Sequence, residues 1–190
     1  MPKQPSRTPP THDELAELAR THLYYEVAML ISGATEEHRR TRERSDLMCL
    51  DRAHPARTHR TAFFESVLLH ARVLDDFLTK PPGYNPDDVW AGDFFTDSQK
   101  WIPPDPGPLA GTPSVFPGEA VKVSINKQLT HFSLRRLKQT HFYVDQIAFA
   151  VIIAMGRFAN DERNRCYSEL EGVRNLIAGA ALPGMQPGGS

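Results

Sequence analysis

The chain has 190 residues and a mass of 21.4 kDa, a length that fits one domain with a sizeable hydrophobic core. Its net charge of -1 excludes a general attraction to nucleic acid or anionic membranes, so any RNA contact must come from a local patch. The two cysteines, Cys49 and Cys166, exclude a disulfide framework, and the longest apolar run, residues 147–155, is too short to cross a bilayer. These features predict a cytoplasmic protein without a membrane partner.

The first predicted helix follows a polar, proline-rich segment, residues 1–10, which we expect to be disordered. Thr11 with Glu14 three residues later is the pattern of a capping box, and it predicts a helix from Thr11 to about Ile31. The charge run Glu36–Arg44 then either extends this helix or forms an exposed arm.

The second predicted helix starts near Thr58 and ends before the prolines at 81 and 82. Its broad apolar face is typical of a central helix in a bundle. A long connection follows, because residues 80–118 hold nine of the sixteen prolines. We expect it to be irregular apart from a short helix near Asp87–Phe95. Four aromatic side chains are predicted to hold it on the bundle: Trp90, Phe94, Phe95 and Trp101.

Three more helices are predicted over about 117–137, 140–159 and 164–178, followed by a disordered tail, residues 181–190. The helix over 140–159 is apolar nearly all round, so it is buried either within the domain or at a dimer interface. The β signal is weak throughout. The sequence therefore predicts one all-α domain over 11–180, a four- to five-helix bundle with a long Pro-rich connection.

The helix predicted over about 117–137 contains a polar residue, Asn126, that is followed after four residues by a histidine, His131. Lys127, His131 and Arg135 follow one another at four-residue intervals and therefore share one helix face. A metal-independent ribonuclease needs a group that moves the 2′-hydroxyl proton near neutral pH and a cation that stabilises the phosphate. The same residues also fit a surface histidine in a basic patch, to which Arg136 adds a second cation for phosphate.

A second set of candidates lies on the preceding helix, where His70 falls on the apolar stripe and Arg72 stands four residues before Asp76. His70 is interpreted as a hydrogen-bonded core residue, and Arg72 as the partner of Asp76 in a surface ion pair. In the alternative, His70 and Arg72 reach the cleft lined by His131 and bind RNA phosphate. No spacing of acidic residues and histidines matches a metal site, so we expect no metal and no cofactor.

The segment Asn126–His131 (NKQLTH) resembles the Arg-Asn-Lys-x-x-Ala-His signature of the HEPN superfamily, particularly its abortive-infection-like branches. The resemblance implies a small helical bundle that is usually a homodimer, and often a ribonuclease of toxin–antitoxin or defence systems. RNA and an antitoxin-like protein would then be its partners. The catalytic arginine of the family falls on Ile125, which favours an inactive relative unless Arg135 or Arg72 replaces it.

Two hypotheses follow from these residues. In the first, the chain is an RNA-binding protein or metal-independent ribonuclease. His131 is then the general acid or base, Arg135 the phosphate-stabilising cation and Asn126 the residue that positions the ribose or phosphate. Lys127, Arg136, Arg72 and His70 contribute to RNA and phosphate binding. In the second, the chain is a non-catalytic helical module that dimerises or binds another protein.

Overall fold

The computed structural model of the chain describes residues 7–43, 55–80, 88–98, 100–112, 121–129 and 142–180. These residues form helices and contain no strand, which confirms the predicted all-α bundle. The elements are α1 (His12–Glu17), a π-helical segment (Leu18–Leu23), α2 (Tyr24–Glu43), α3 (Pro55–Thr79), a 3-10 helix (Ala91–Phe94), α4 (Val121–Leu129), α5 (Val144–Ala159), a second 3-10 helix (Ser168–Leu170) and α6 (Glu171–Gly179). Of the segments predicted to be disordered, residues 1–6 of the N-terminal segment 1–10 and the whole tail 181–190 lie outside the described residues.

The N-terminal helix begins as predicted and ends later than predicted. The hydroxyl of Thr11 accepts a hydrogen bond from the Glu14 N–H at 3.3 Å, and the Glu14 carboxylate accepts one from the Thr11 N–H at 2.7 Å. This is the expected capping box. Because α1, the π-helical segment and α2 follow one another without a break, the helix continues past Ile31 to Glu43. The charge run therefore extends the helix over residues 36–43.

Local ion pairs support the helical conformation of this charge run. Glu36 accepts hydrogen bonds from Arg39 at 2.7 Å and from Arg40 at 2.5 Å, at the three- and four-residue spacings that bring helical side chains together. These hydrogen bonds lower the pKa of Glu36 to about 2. Glu36 therefore pairs with two arginines of the run and supports the helix there, an outcome that the sequence left open.

Helices α2 and α3 pack closely because a glycine lies between them. A Cβ atom added to Gly33 would lie 2.9 Å from Cγ2 of Val67, a distance that side chains do not adopt. Val67 is fully buried, as are Val27 and Leu30 of α2. The absence of a side chain at Gly33 thus lets the two longest described helices approach each other.

The apolar helix α5 lies at the centre of the domain. Its residues Ala148, Val151, Ile152 and Phe158 are fully buried. Helix α5 packs against α2, α3 and α6, and Ile153 is its one large apolar side chain that is largely exposed. Of the two places that the sequence allowed for this helix, burial within the domain accounts for its apolar surface. A dimer interface is not needed to explain its composition.

The described part of the Pro-rich connection is held on the bundle by aromatic side chains. The ring of Phe158 lies 5.1 Å from that of Phe77, 5.4 Å from that of Phe94 and 5.6 Å from that of Trp101, all edge-on. The indole N–H of Trp101 donates to the backbone oxygen of Leu78 at 3.0 Å, in the last turn of α3. The predicted short helix is present as the single 3-10 turn Ala91–Phe94.

The N-terminal end of the described chain contacts the connection, and a turn precedes the last helix. The guanidinium of Arg7 donates to the carboxylate of Asp93 at 2.7 Å, within the segment for which disorder was predicted. Helix α6 begins at Glu171 and not near Asn164, because the Asn164 side chain accepts a hydrogen bond from the Cys166 N–H at 2.9 Å and forms a turn. No helix in the described residues is long and apolar enough to span a membrane.

Candidate functional site

Helix α4 carries the first part of the segment that the sequence singled out. Ile125, which stands where the resembling signature has an arginine, is fully buried, and Ser124 beside it is 1% exposed. Asn126 and Lys127 follow on the same helix, but the structure does not describe their side chains. His131, Arg135 and Arg136 lie outside the described residues. The structure therefore shows which way α4 faces at Ile125, and it does not show the expected site around His131.

His70 is placed on α3 against α2, as its position on the apolar stripe predicted. Its imidazole is buried, and Nδ1 lies 2.7 Å from Oε2 of Glu26. The ring of Tyr25 meets the imidazole edge-on at 5.8 Å between centroids. This arrangement fixes the orientation of the imidazole, since a carboxylate on one nitrogen sets the role of the other. Glu26 was not among the residues that the sequence suggested, because it comes from another helix.

Arg72 does not share a surface with His70. Residues two positions apart on a helix are separated by about 200° around its axis, so these two side chains lie on opposite faces of α3. The predicted ion pair with Asp76 is not formed: Asp76 pairs with Lys80 at 2.5 Å and also with Lys122. Within the part of the chain that the structure describes, Arg72 makes no ion pair, and its buried Nε has no hydrogen-bond partner.

A second charged cluster, which the sequence did not reveal, surrounds Asp75. This carboxylate is 2% exposed. It accepts a hydrogen bond from the backbone N–H of Leu109 at 3.0 Å and one from the Lys122 ammonium at 2.8 Å. It therefore joins α3 to the connection and to α4. Burial alone lowers the pKa of Lys122, but the hydrogen bonds to Asp75 and Asp76 outweigh burial and raise it. These contacts assign the cluster a structural role, because each charge in it has a partner.

Cys166 is a third side chain with potential chemistry. It is fully buried, and its Sγ lies 3.9 Å from Nδ1 of His12. Burial raises the pKa of the thiol, and the nearby charge of Glu169 raises it further. A nucleophilic cysteine needs the opposite, a thiolate near neutral pH in an accessible place. Cys166 is therefore a core residue despite its histidine neighbour.

We expect Cys166 to react slowly with a thiol reagent in the folded protein. In a Cys49→Ser background, modification of Cys166 by an aromatic disulfide should be at least about 100-fold slower than in denaturant, because the thiol is reached only when the structure opens. A variant with both cysteines changed to serine and Ser98→Cys, an exposed position, is the matched control for reagent access. Similar rates for Cys166 in the folded and denatured states would contradict the assignment.

Two searches of the chain complete the description of the candidate site. The described residues contain no group of three or more His, Cys, Asp or Glu side chains placed to hold a metal ion. Comparison of the chain with protein-family models, with curated proteins and with solved structures finds no match. The residues that bear on function are therefore the chain's own: buried Ile125, the oriented His70, and Arg72, which makes no ion pair within the described residues.

Proposed function

We propose that this chain is a HEPN-like helical protein that works by binding a partner, and that it does not cleave RNA through the Asn126–His131 segment. The observation that carries the proposal is the complete burial of Ile125, at the position of the catalytic arginine in the resemblance. A guanidinium there would enter the hydrophobic core, where an unpaired charge is costly and an RNA phosphate has no access.

The proposed partner is a protein, either a second copy of the chain or an antitoxin-like molecule. The net charge of -1 provides no general attraction for RNA. By contrast, α3 exposes large apolar side chains on consecutive turns, with Leu69 44% and Val73 41% exposed. Apolar side chains that are not covered within a domain are common where protein partners bind. The exposure of these residues supports a protein-binding surface on α3.

A metal-independent ribonuclease of the toxin–antitoxin or defence type is the second candidate, and the contact between Glu26 and His70 favours it. A carboxylate 2.7 Å from one imidazole nitrogen leaves the other nitrogen oriented for proton transfer. In this alternative His131 or His70 moves the 2′-hydroxyl proton, and Arg135 stabilises the phosphate in place of the missing arginine. Asn126, Lys127 and Arg136 then bind the RNA. Arg72 joins them only where His131 moves the proton, because Arg72 and His70 lie on opposite faces of α3.

Cleavage of total RNA in EDTA tests the choice between the two functions. We expect wild type to release no more product than His131→Ala, His70→Ala or Arg135→Ala. Loss of a working general acid or base lowers the rate by about 10²–10⁴-fold, so a real activity would separate these proteins clearly. His59→Ala, at an exposed histidine of α3, controls for contaminating nuclease. Cleavage by wild type and by His59→Ala, but not by His131→Ala, would overturn the proposal in favour of the ribonuclease.

A further inference from the structure

The outward face of α3 carries two charges without partners on either side of its exposed leucine. Glu65 is exposed, and neither Glu65 nor Arg72 makes an ion pair within the described ranges of the chain. The other acidic residues near Arg72 are already taken, since Asp75 and Asp76 pair with Lys122. An exposed carboxylate and a partly buried guanidinium on one helix thus both lack a counter-charge.

Helix geometry makes this arrangement symmetric about Leu69. Glu65 stands four residues before Leu69 and Arg72 three residues after it, so both lie about one helical turn away, in opposite directions. The seven residues between Glu65 and Arg72 leave them about 20° apart around the helix axis, on the same flank of Leu69. Their separation on one helix is about 10 Å along the axis, too far for them to pair with each other.

We propose that two copies of the chain associate through α3, with the helices antiparallel and the two-fold axis beside Leu69. Such an axis brings the same flank of each helix against the same flank of its copy, because the two surfaces in a two-fold interface are identical. Glu65 of one copy then lies level with Arg72 of the other to within about 1.5 Å along the helix axis. Leu69 contacts Leu69 at the axis, and each unpaired charge gains its counter-charge.

The other side chains on this face of α3 also fit a second copy of the chain. Val73, 41% exposed, stands one turn after Leu69 and extends the apolar centre of the patch. Ala62 and Ser66 are small side chains on the preceding turns, so they leave room for the helix of the second copy. An apolar centre flanked by complementary charges is the usual arrangement of a protein interface. This inference rests on the proposed binding function and names a second copy as the partner.

Charge reversal tests the interface at α3 by sedimentation at several protein concentrations. Wild type should dimerise, and Arg72→Glu should weaken the dimer by at least about tenfold, because it sets two carboxylates against each other at each end of the patch. Glu65→Arg should have the same effect. The double variant Glu65→Arg/Arg72→Glu exchanges the two charges and should restore the dimer, a recovery that damage to the fold would not produce.

A matched pair of apolar variants keeps the test independent of Arg72. Leu69→Glu should also weaken the dimer by at least about tenfold, whereas Ile153→Glu, at a side chain of equal exposure on α5, should leave it unchanged. A monomeric wild type, or a dimer that Arg72→Glu and Leu69→Glu leave intact, would overturn this interface. The proposed binding function is tested separately, since it fails only when wild type cleaves RNA and His131→Ala does not.

Discussion

The substitution Ile125→Arg, which introduces the arginine of the HEPN signature that the segment resembles, should destabilise the protein and should not create a ribonuclease. The side chain of Ile125 is fully buried on α4 beside Ser124, which is 1% exposed. An unpaired charge in such a place costs several kcal/mol after the protein relaxes, so we expect the free energy of unfolding to fall by at least about 4 kcal/mol. Domains are stable by only about 5–15 kcal/mol, so much of this protein would unfold.

Val123→Arg is the matched control, because Val123 is on the same helix and is 40% exposed. A surface substitution of this kind changes stability by no more than about 0.5 kcal/mol. Urea denaturation followed by circular dichroism measures both variants. A folded Ile125→Arg protein that cleaves RNA in EDTA would contradict the prediction, since it would place residue 125 in a working site.

The fold followed from local signals in the sequence. The capping pattern at Thr11, the breadth of the apolar stripe on α3 and the apolar composition of α5 each depend on side chains close in the chain, and all three predicted the element that the structure has. The end of the first helix was predicted at about Ile31, with an extension through the charge run left open. The apolar stripe fades beyond Ile31, but pairing of Glu36 with Arg39 and Arg40 continues the helix on the polar side.

The residues around the candidate site depend on contacts between helices, and the sequence did not predict them. Glu26 contacts His70, which is 44 residues away in the sequence, and Asp75 contacts Lys122, which is 47 residues away. No periodicity within one helix relates such pairs. Arg72 and Asp76 have the spacing of a helical ion pair, but the Asp76 carboxylate pairs with Lys122 of α4 instead. Local spacing therefore predicted the buried face of each helix, but it did not predict the ionic partner of Asp76.

The burial of α5 removes the original reason to expect a dimer. That expectation came from the apolar surface of this helix, and the structure buries that surface inside the domain. Helix α3 offers a different surface, where Leu69 and Val73 are exposed and Glu65 and Arg72 make no ion pair within the residues that the structure describes. A dimer proposed from α3 is a different and more specific hypothesis, because it names the residues whose charges can be exchanged.

Removal of the carboxylate at Asp75 should destabilise the protein by about 3–5 kcal/mol, the usual effect of breaking a buried ion pair by deleting one partner. Asp75→Ala leaves the half-buried Lys122 ammonium with Asp76 alone and leaves the Leu109 N–H without its acceptor. Asp97→Ala, at an exposed carboxylate of the connection, should change stability by no more than about 0.5 kcal/mol. Urea denaturation at neutral pH measures both variants.

The substitution Asp75→Asn separates the two contacts of this carboxylate. The asparagine oxygen still accepts the Leu109 N–H, but the amide carries no charge for Lys122, so the loss should be smaller than for Asp75→Ala. Asp75→Asn should therefore keep the segment around Leu109 protected from proteolysis, whereas Asp75→Ala should expose it. Equal cleavage of this segment in both variants would show that the hydrogen bond to Leu109 does not hold the connection.

The pH dependence of the ion pair follows from the raised pKa of Lys122. A lysine whose pKa is higher in the folded state than its ordinary 10.5 stabilises the fold fully below 10.5, and this contribution is lost as pH rises through the folded value. The stability difference between wild type and Lys122→Met should thus stay constant through neutral pH and shrink only in strongly alkaline solution. In the Asp75→Ala background, Lys122→Met should cost less than in wild type, because the ammonium has already lost its buried partner. An equal cost of Lys122→Met in both backgrounds would mean that Asp75 and Lys122 stabilise the fold independently, and that the contact between α3 and α4 does not depend on their ion pair.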